Sequence, residues 1–172
     1  IQNKVVQLNQ RFEKSYARVI KALRKEDIYF TSDSEYDEKQ AKVVVNYFQE
    51  VVRPVLVPIM LNKKTDFPEL KGDAIYLAVK LSHKTKPGDA KKPQFAIIEI
   101  PSKQISRFLV LPQRGNKKYV TLLDDIIRFN LDEVFQIFDY DKIEAHTIKI
   151  TRDAELDFDD DISKSWMDKI EK

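Results

Sequence analysis

AIYLAVKLSH at residues 74–83 and QFAIIEIP at residues 94–101 are the stretches that decide the fold. Both are rich in β-branched, aromatic and other apolar residues, a composition that favours strands. The segment that joins them, KTKPGDAKKP, contains proline, glycine and several lysines, which is typical of an exposed loop. We therefore predict that the two stretches are paired strands joined by an exposed hairpin loop.

Further strands are predicted on both sides of this hairpin. RFLVLPQ (107–113) and KKYVTL (117–122) flank RGN, a second hairpin signal, and EAHTIKIT (144–151) alternates as a strand does. PVLVPIM (54–60) reads as a strand whose two prolines favour the edge of a sheet, because proline cannot donate to a neighbouring strand. IYF (28–30) is a short extended segment.

Four helices are predicted from apolar periodicity and capping signals. The first, of about 20 residues, begins near the N-terminus. Ser32 and Glu35 have capping-box spacing before the second, Thr121 and Asp124 before the third, and the fourth covers residues 163–172. The first helix carries an apolar stripe, typical of a bundle helix whose partners lie elsewhere, formed by Val5, Leu8, Phe12, Tyr16, Val19 and Leu23. The predicted inward-facing residues are Ala41, Val44, Val45, Phe48, Val51 and Val52 in the second helix, and Ile126, Ile127, Leu131, Val134 and Phe135 in the third.

This order of elements predicts an α+β fold: a mostly antiparallel sheet with flanking helices, preceded by a long N-terminal helix. It is not the repeating βαβ order of a parallel sheet. With only three glycines in 172 residues, we find no phosphate-cradling loop of the Walker or dinucleotide-binding type.

Composition excludes several classes of protein. Thirty basic and twenty-eight acidic residues leave a net charge of +2, so binding of nucleic acid or another polyanion would need a local patch. There is no cysteine, which excludes disulfides and thiolate metal sites. No apolar run approaches the ~18 residues of a membrane span. We expect a soluble, cytoplasmic protein, and the absence of an initiator methionine suggests part of a longer one.

The acidic stretch that follows the last predicted strand invites a metal-binding interpretation. A calcium loop requires glycine at its sixth position and glutamate at its twelfth. Counted from Asp153, these positions hold Phe158 and Lys164, so the loop does not fit. We predict no metal ligand here; the acidic residues suit the first turn of a helix instead.

Four residues remain as candidates for an autonomous catalytic site: Arg107, His146, Arg152 and Asp153. His146 alternates with apolar residues along its strand, and His83 ends a strand before a lysine-rich loop. The guanidinium of Arg152 can form an ion pair with a neighbouring carboxylate such as Asp153, or it can donate hydrogen bonds to a phosphate oxygen. The local sequence leaves both roles open. We find no complete catalytic constellation.

A stand-alone polyanion-binding module is a second alternative. The predicted hairpin loops carry a set of basic residues, which would contact a polyanion or simply be solvated turns. These residues are Lys84, Lys86, Lys91, Lys92, Arg114, Lys117 and Lys118.

Long segments of the chain resemble the middle, or head, region of bacterial polyphosphate kinase. They are YFQEVVRPVLVPIM, DFPEL, AIYLAVKL, IIEIPSKQISRFLVLP, YVTLLDDIIRFNLDEVF and above all KITRDAELD. The opening IQNKVVQLNQRFEKSYARVI resembles the last helix of that family's N-terminal helical domain. The resemblance implies that residues 1–27 end the preceding domain, and that residues 28–172 are a head domain truncated at its C-terminal side.

The resemblance implies an enzyme that transfers the terminal phosphate of ATP reversibly to inorganic polyphosphate, with Mg²⁺, through a phosphohistidine. Its catalytic histidines and most ATP contacts belong to other domains, so neither His83 nor His146 inherits the nucleophile role. The segment itself is implied to wall the channel, to support dimerisation, and to bind no cofactor. Arg107 and Arg152 are the candidates for contact with polyphosphate, because both lie in segments of strong resemblance. Cytoplasmic location is implied, with peripheral membrane association through the whole enzyme as an alternative.

Overall fold

A computed structural model describes residues 2–62, 67–83 and 92–150, so the helix expected at 163–172 lies outside the described residues. The described part contains four α-helices and seven strands. They are α1 (Gln2–Lys25), β1 (Ile28–Phe30), α2 (Glu38–Tyr47), β2 (Pro58–Leu61), β3 (Tyr76–Ser82), β4 (Gln94–Glu99), β5 (Phe108–Arg114), β6 (Lys117–Leu122), α3 (Leu123–Phe129), α4 (Leu131–Val134) and β7 (Lys142–Ile148). The predicted α+β class is confirmed.

The strands form two sheets, a division that the sequence did not reveal. One sheet has the order β1-β6-β5 and the other the order β2-β4-β3-β7. Both predicted hairpins are present: β3 pairs antiparallel with β4, and β5 pairs antiparallel with β6. Only β1 with β6 is parallel among the pairs of described strands. At the tight turn between β5 and β6, Gly115 has a φ of 61°, a conformation that glycine adopts without steric cost.

Proline places β2 at the edge of its sheet, as predicted. The strand begins at Pro58, later than expected, because a short 3₁₀ turn occupies Arg53–Val55. A five-residue π-helical turn, Phe48–Val52, joins α2 to that 3₁₀ turn. Along this stretch Val44, Phe48 and Val52 are buried, whereas Val51, predicted to face inward, is 38 % exposed.

Both predicted helix caps have other roles. Ser32 donates its backbone N–H to Glu35 at 3.0 Å, but this closes a 3₁₀ turn, Asp33–Glu35, and α2 is capped by Asp37. Thr121 lies within β6 and caps no helix. The prediction that Ser32 caps the second helix is wrong, because the capping-box spacing is satisfied within a single 3₁₀ turn and α2 begins at Glu38.

The main core lies between α2, α3 and one face of the four-stranded sheet. Its buried residues include Val44 and Phe48 from the α2 segment, Leu77 from β3, and Ile126 from α3. Tyr76 and Ile97 point to the opposite face of that sheet, where they form a smaller cluster with Leu70 and Ala74. Strand alternation produces the two faces, because successive side chains point to opposite sides.

Helix α1 keeps its predicted apolar stripe outside this core. Phe12 is 70 % exposed and Leu8 is 62 % exposed, and only Ile20 and Leu23 near the end are half-buried. None of the described helices is long and apolar enough to cross a membrane.

Candidate functional site

Arg107 lies immediately before β5, beside the first turn of α3. Its backbone carbonyl accepts a hydrogen bond from the Leu123 N–H at 2.9 Å, which holds the chain at this point. Its guanidinium Nη2 lies 3.8 Å from Asp124 Oδ1, and the side chain remains 34 % exposed. Among the described residues no hydrogen bond is made by the Arg107 side chain. Its donors are therefore available to another acceptor.

Asp124 is the buried member of this pair, with a side chain only 9 % exposed. Its Oδ2 accepts a hydrogen bond from the Thr147 hydroxyl at 3.2 Å. Its Oδ1 is buried and has no hydrogen-bond partner among the described residues. Burying a carboxylate oxygen without a donor is costly, so such an oxygen calls for an explanation.

Arg128 connects α3 to its surroundings. It donates to Asp125 Oδ1 at 2.6 Å and to the Thr147 hydroxyl at 2.9 Å, and it lies 3.5 Å from Asp33 Oδ1. The Thr147 hydroxyl in turn donates to Asp124. Two guanidiniums and three carboxylates thus join α3 to β5, to β7 and to the turn after β1. We call these residues (Asp33, Arg107, Asp124, Asp125, Arg128 and Thr147) the α3 network.

Within the α3 network, Asp125 is electrostatically perturbed. Burial raises the pKa of its carboxyl to about 6, and the nearby charges of Asp124 and Asp33 act in the same direction. The Arg128 guanidinium opposes this rise. The Asp125 carboxyl therefore holds its proton more tightly than an ordinary aspartate does.

The other described arginines outside α1 are hydrogen-bonded. Arg53 donates to Glu133, and Arg128 has the partners given above. Arg114 lies 2.6 Å from Asp37 and donates to Gln40 at 2.5 Å. Arg107, whose side chain is partly exposed, is the one member of this group that makes no side-chain hydrogen bond. This is the property expected of an anion-contacting arginine.

Of the basic residues proposed for a polyanion-binding module, Lys92, Arg114, Lys117 and Lys118 lie among the described residues, the last three on the β5–β6 hairpin. Arg114 connects the β5–β6 hairpin to the cap of α2, a structural position that the sequence did not predict. Lys117 lies over the ring of Tyr29, 5.2 Å from its centroid, and Lys118 and Lys92 are exposed. The other three lysines named for this module are outside the described residues.

The two histidines lie apart from the α3 network. His83 Nδ1 is 3.6 Å from Asp141 Oδ2. His146 is exposed on β7 opposite Ala78. Because alternate strand residues point to opposite faces, His146 points away from the side on which its neighbour Thr147 contacts α3.

The remaining candidates, Arg152 and Asp153, lie outside the described residues. Sequence reasoning missed Asp124 and Thr147 as site residues, because Asp124 was interpreted only as part of a helix cap. No local sequence signal distinguishes Asp124 from Asp125 as the buried carboxylate, because both lie in the first turn of α3. Within residues 2–62, 67–83 and 92–150, no group of three acidic or histidine residues could hold a metal ion.

The fold and the α3 network define an α+β domain in which Arg107 is the one described arginine outside α1 without a side-chain hydrogen bond. No phosphoryl-transfer constellation is found among the described residues. Residues 39–172 match the family model described as the polyphosphate kinase middle domain. The chain belongs to this family. The match covers most of the chain and includes every residue of the α3 network except Asp33.

Curated relatives extend the similarity to nearly the whole chain. The polyphosphate kinases of Vibrio vulnificus and Vibrio cholerae are 35 % and 37 % identical over 174 aligned residues, which cover 99 % of this chain. That of Escherichia coli K12 is 33 % identical over 98 % of the chain. In each case the alignment covers 24 % of the relative, so the chain spans about a quarter of the length of these relatives.

A solved structure has the same fold. The crystal structure of polyphosphate kinase from Porphyromonas gingivalis superposes with a TM-score of 0.74 and 24 % identity, covering 87 % of this chain and 23 % of that one. At this identity the likeness concerns the fold alone.

Proposed function

We propose that this chain is the head-domain segment of a polyphosphate kinase that transfers the terminal phosphate of ATP reversibly to inorganic polyphosphate. The observation that carries the proposal is the family match over residues 39–172, supported by curated relatives named polyphosphate kinase. In that enzyme, a histidine elsewhere in the protein takes up the phosphoryl group. This segment contributes structure and substrate contact.

Residues 1–27 are proposed to end the preceding helical domain, and residues 28–172 to form the head domain. Support comes from α1, whose apolar stripe finds no cover among the described residues, and from the start of the family match at residue 39. A helix with such a stripe normally packs against other apolar surface. The remaining domains and a second subunit are the proposed partners, with the head segment supporting dimerisation.

Within the segment, Arg107 is proposed to face the channel and to contact polyphosphate. The Arg107 guanidinium has no hydrogen-bond partner among the described residues. A guanidinium suits phosphate because its paired N–H donors match two phosphate oxygens. Arg152 remains a second proposed contact on sequence grounds. ATP and Mg²⁺ are proposed, on the family resemblance, to bind in other domains of the enzyme.

Comparison of the chain with a full-length polyphosphate kinase that carries it tests the proposal. The full-length enzyme should make polyphosphate from ATP and Mg²⁺ and should form an acid-labile phosphohistidine. The chain alone should do neither. Labelling of His83 or His146 in the chain would contradict a scaffold role, and an inactive full-length enzyme would contradict the kinase assignment.

A further inference from the structure

Arg107 and Asp124 place unused hydrogen-bond donors next to an unsatisfied hydrogen-bond acceptor. The guanidinium supplies donors that no described residue uses, and Asp124 Oδ1, 3.8 Å from Nη2, is an acceptor that no described residue satisfies. A group that both accepts from arginine and donates to the carboxylate would satisfy both. A fully ionised oxyanion has only acceptors, and the Asp124 carboxylate would repel it.

The other residues of the α3 network do not donate a hydrogen bond to Asp124 Oδ1. Thr147 directs its hydroxyl hydrogen to the other oxygen of Asp124, and its own oxygen accepts from Arg128. Arg128 is also held by Asp125, with Asp33 close to the same guanidinium.

We propose that Arg107 and Asp124 form a subsite for a phosphate group that carries a proton, and that this subsite selects the end of a polyphosphate chain over its interior. The phosphate oxygens accept from Arg107, and the P–OH group donates to Asp124 Oδ1. This inference rests on the proposed contact between Arg107 and polyphosphate and adds its specificity.

The terminal phosphates of polyphosphate differ from its interior phosphates in whether they can carry a proton near neutral pH. A terminal phosphate has a second ionisation with a pKa of about 6, so a fraction of chain ends carries a proton near neutral pH. Interior and cyclic phosphates each have one strongly acidic oxygen and remain fully ionised. Arg107 is one-third exposed and not fixed by a hydrogen bond, so its side chain can move to admit a ligand to Oδ1.

The test is a calorimetric titration of the intact chain with tripolyphosphate, cyclic trimetaphosphate and sulfate. It is run at constant ionic strength and at about pH 6, where roughly half of the terminal phosphates carry a proton. Tripolyphosphate should bind at least about tenfold more tightly than the other two anions, the effect expected of one hydrogen bond to a charged group.

Two conservative variants identify the groups responsible. Asp124→Asn replaces the acceptor by an amide that can also donate, so the linear and cyclic anions should bind within about threefold of each other. Arg107→Lys keeps the positive charge beside Asp124 but loses the fork, so binding of tripolyphosphate should weaken by roughly tenfold. Thermal unfolding of both variants establishes that they are folded.

The outcomes separate this inference from the proposed function. Equal binding of linear and cyclic anions to the unmodified chain, or a preference that survives in Asp124→Asn, overturns the chain-end subsite and leaves the Arg107 contact in place. Binding that Arg107→Lys does not weaken overturns both. Absence of tripolyphosphate binding overturns the subsite, while the kinase assignment is tested independently by the activity of the full-length enzyme.

Discussion

The hydroxyl oxygens of Tyr36 and Thr121 lie 2.5 Å apart and connect the segment before α2 to the middle of β6. Thr121 is fully buried, and the Tyr36 ring packs edge-on against Phe129 of α3. Burial raises the pKa of the Tyr36 hydroxyl well above its usual range, so the phenol stays protonated and can donate. Tyr36 thus contacts both β6, through its hydroxyl, and α3, through its ring.

Tyr36→Phe should destabilise the chain, because it leaves the buried Thr121 hydroxyl without its partner. We expect a loss of about 1–2 kcal/mol in the free energy of unfolding, measured by urea denaturation. Thr121→Val should cost a similar amount. The double variant should lose less than the sum of the two, since no unpaired hydroxyl remains. Strict additivity of the two losses would show that the hydroxyls do not interact.

Asp125 should make stability depend on pH. Its pKa is about 6 in the folded chain against an ordinary value of 3.8, so the folded state binds the proton more tightly than the unfolded state. Stability from this group is therefore complete below about pH 4 and is lost as pH rises through about 6, by roughly 1–3 kcal/mol. Asp125→Asn should flatten this part of the pH profile.

Urea midpoints measured between about pH 4 and 7 provide the check, over the range in which Asp125 titrates. Glu50→Gln is a matched control, because it neutralises an exposed carboxylate in the π-helical turn. It should leave the shape of the profile unchanged. An Asp125→Asn profile that parallels the unmodified chain would assign the pH dependence to other groups.

The sequence predicted the helices and strands better than it predicted the candidate site. Alternation and turn residues located the β3–β4 and β5–β6 hairpins, because those signals are local. The division into two sheets depends on long-range pairing, such as Ile28 with Lys118, which no local pattern encodes. The π-helical turn at Phe48–Val52 shifted which valines are buried, and helical periodicity could not anticipate it.

At the candidate site the sequence identified Arg107 but not its partner. Arg107 was selected through the resemblance of its segment to the polyphosphate kinase head region, whereas Asp124 looked like an ordinary acidic residue at the start of a helix. Its burial results from the packing of α3 against Arg107 and Thr147, which meet only in the folded chain. Arg114 shows the opposite case, since its position in a basic hairpin gave no sign of its pairing with Asp37.

Arg107 and Arg114 should differ in the effect of replacement by lysine. Arg107→Lys keeps a charge beside Asp124 and loses no hydrogen bond to a described residue, so the free energy of unfolding should change by less than about 0.5 kcal/mol. Arg114→Lys removes the fork that contacts both Asp37 and Gln40 at the start of α2, and its urea midpoint should fall.

Polyphosphate binding should be impaired by Arg107→Lys and not by Arg114→Lys, the reverse of the expected effects on stability. Arg107→Lys should weaken binding because the paired donors of the guanidinium are lost, while the dependence of binding on salt concentration should change little because the charge is kept. Arg114→Lys should bind like the unmodified chain once corrected for any unfolded fraction. Weaker binding in Arg114→Lys alone would move the polyanion contact to the β5–β6 hairpin and revive the stand-alone binding module.

The exposed stripe of α1 should control self-association of the isolated chain. Phe12 and Tyr16 are 70 % and 56 % exposed and stack on each other with ring centroids 6.2 Å apart. An apolar surface of this kind favours association with a second apolar surface, here a second copy or the chain's own domain.

Phe12→Asp or Tyr16→Asp places a charge in that contact and should shift the sedimentation coefficient toward a smaller species. Gln10→Asp, on the opposite side of α1, adds the same charge outside the stripe and should leave sedimentation unchanged. If all three variants sediment like the unmodified chain, the stripe takes no part in assembly.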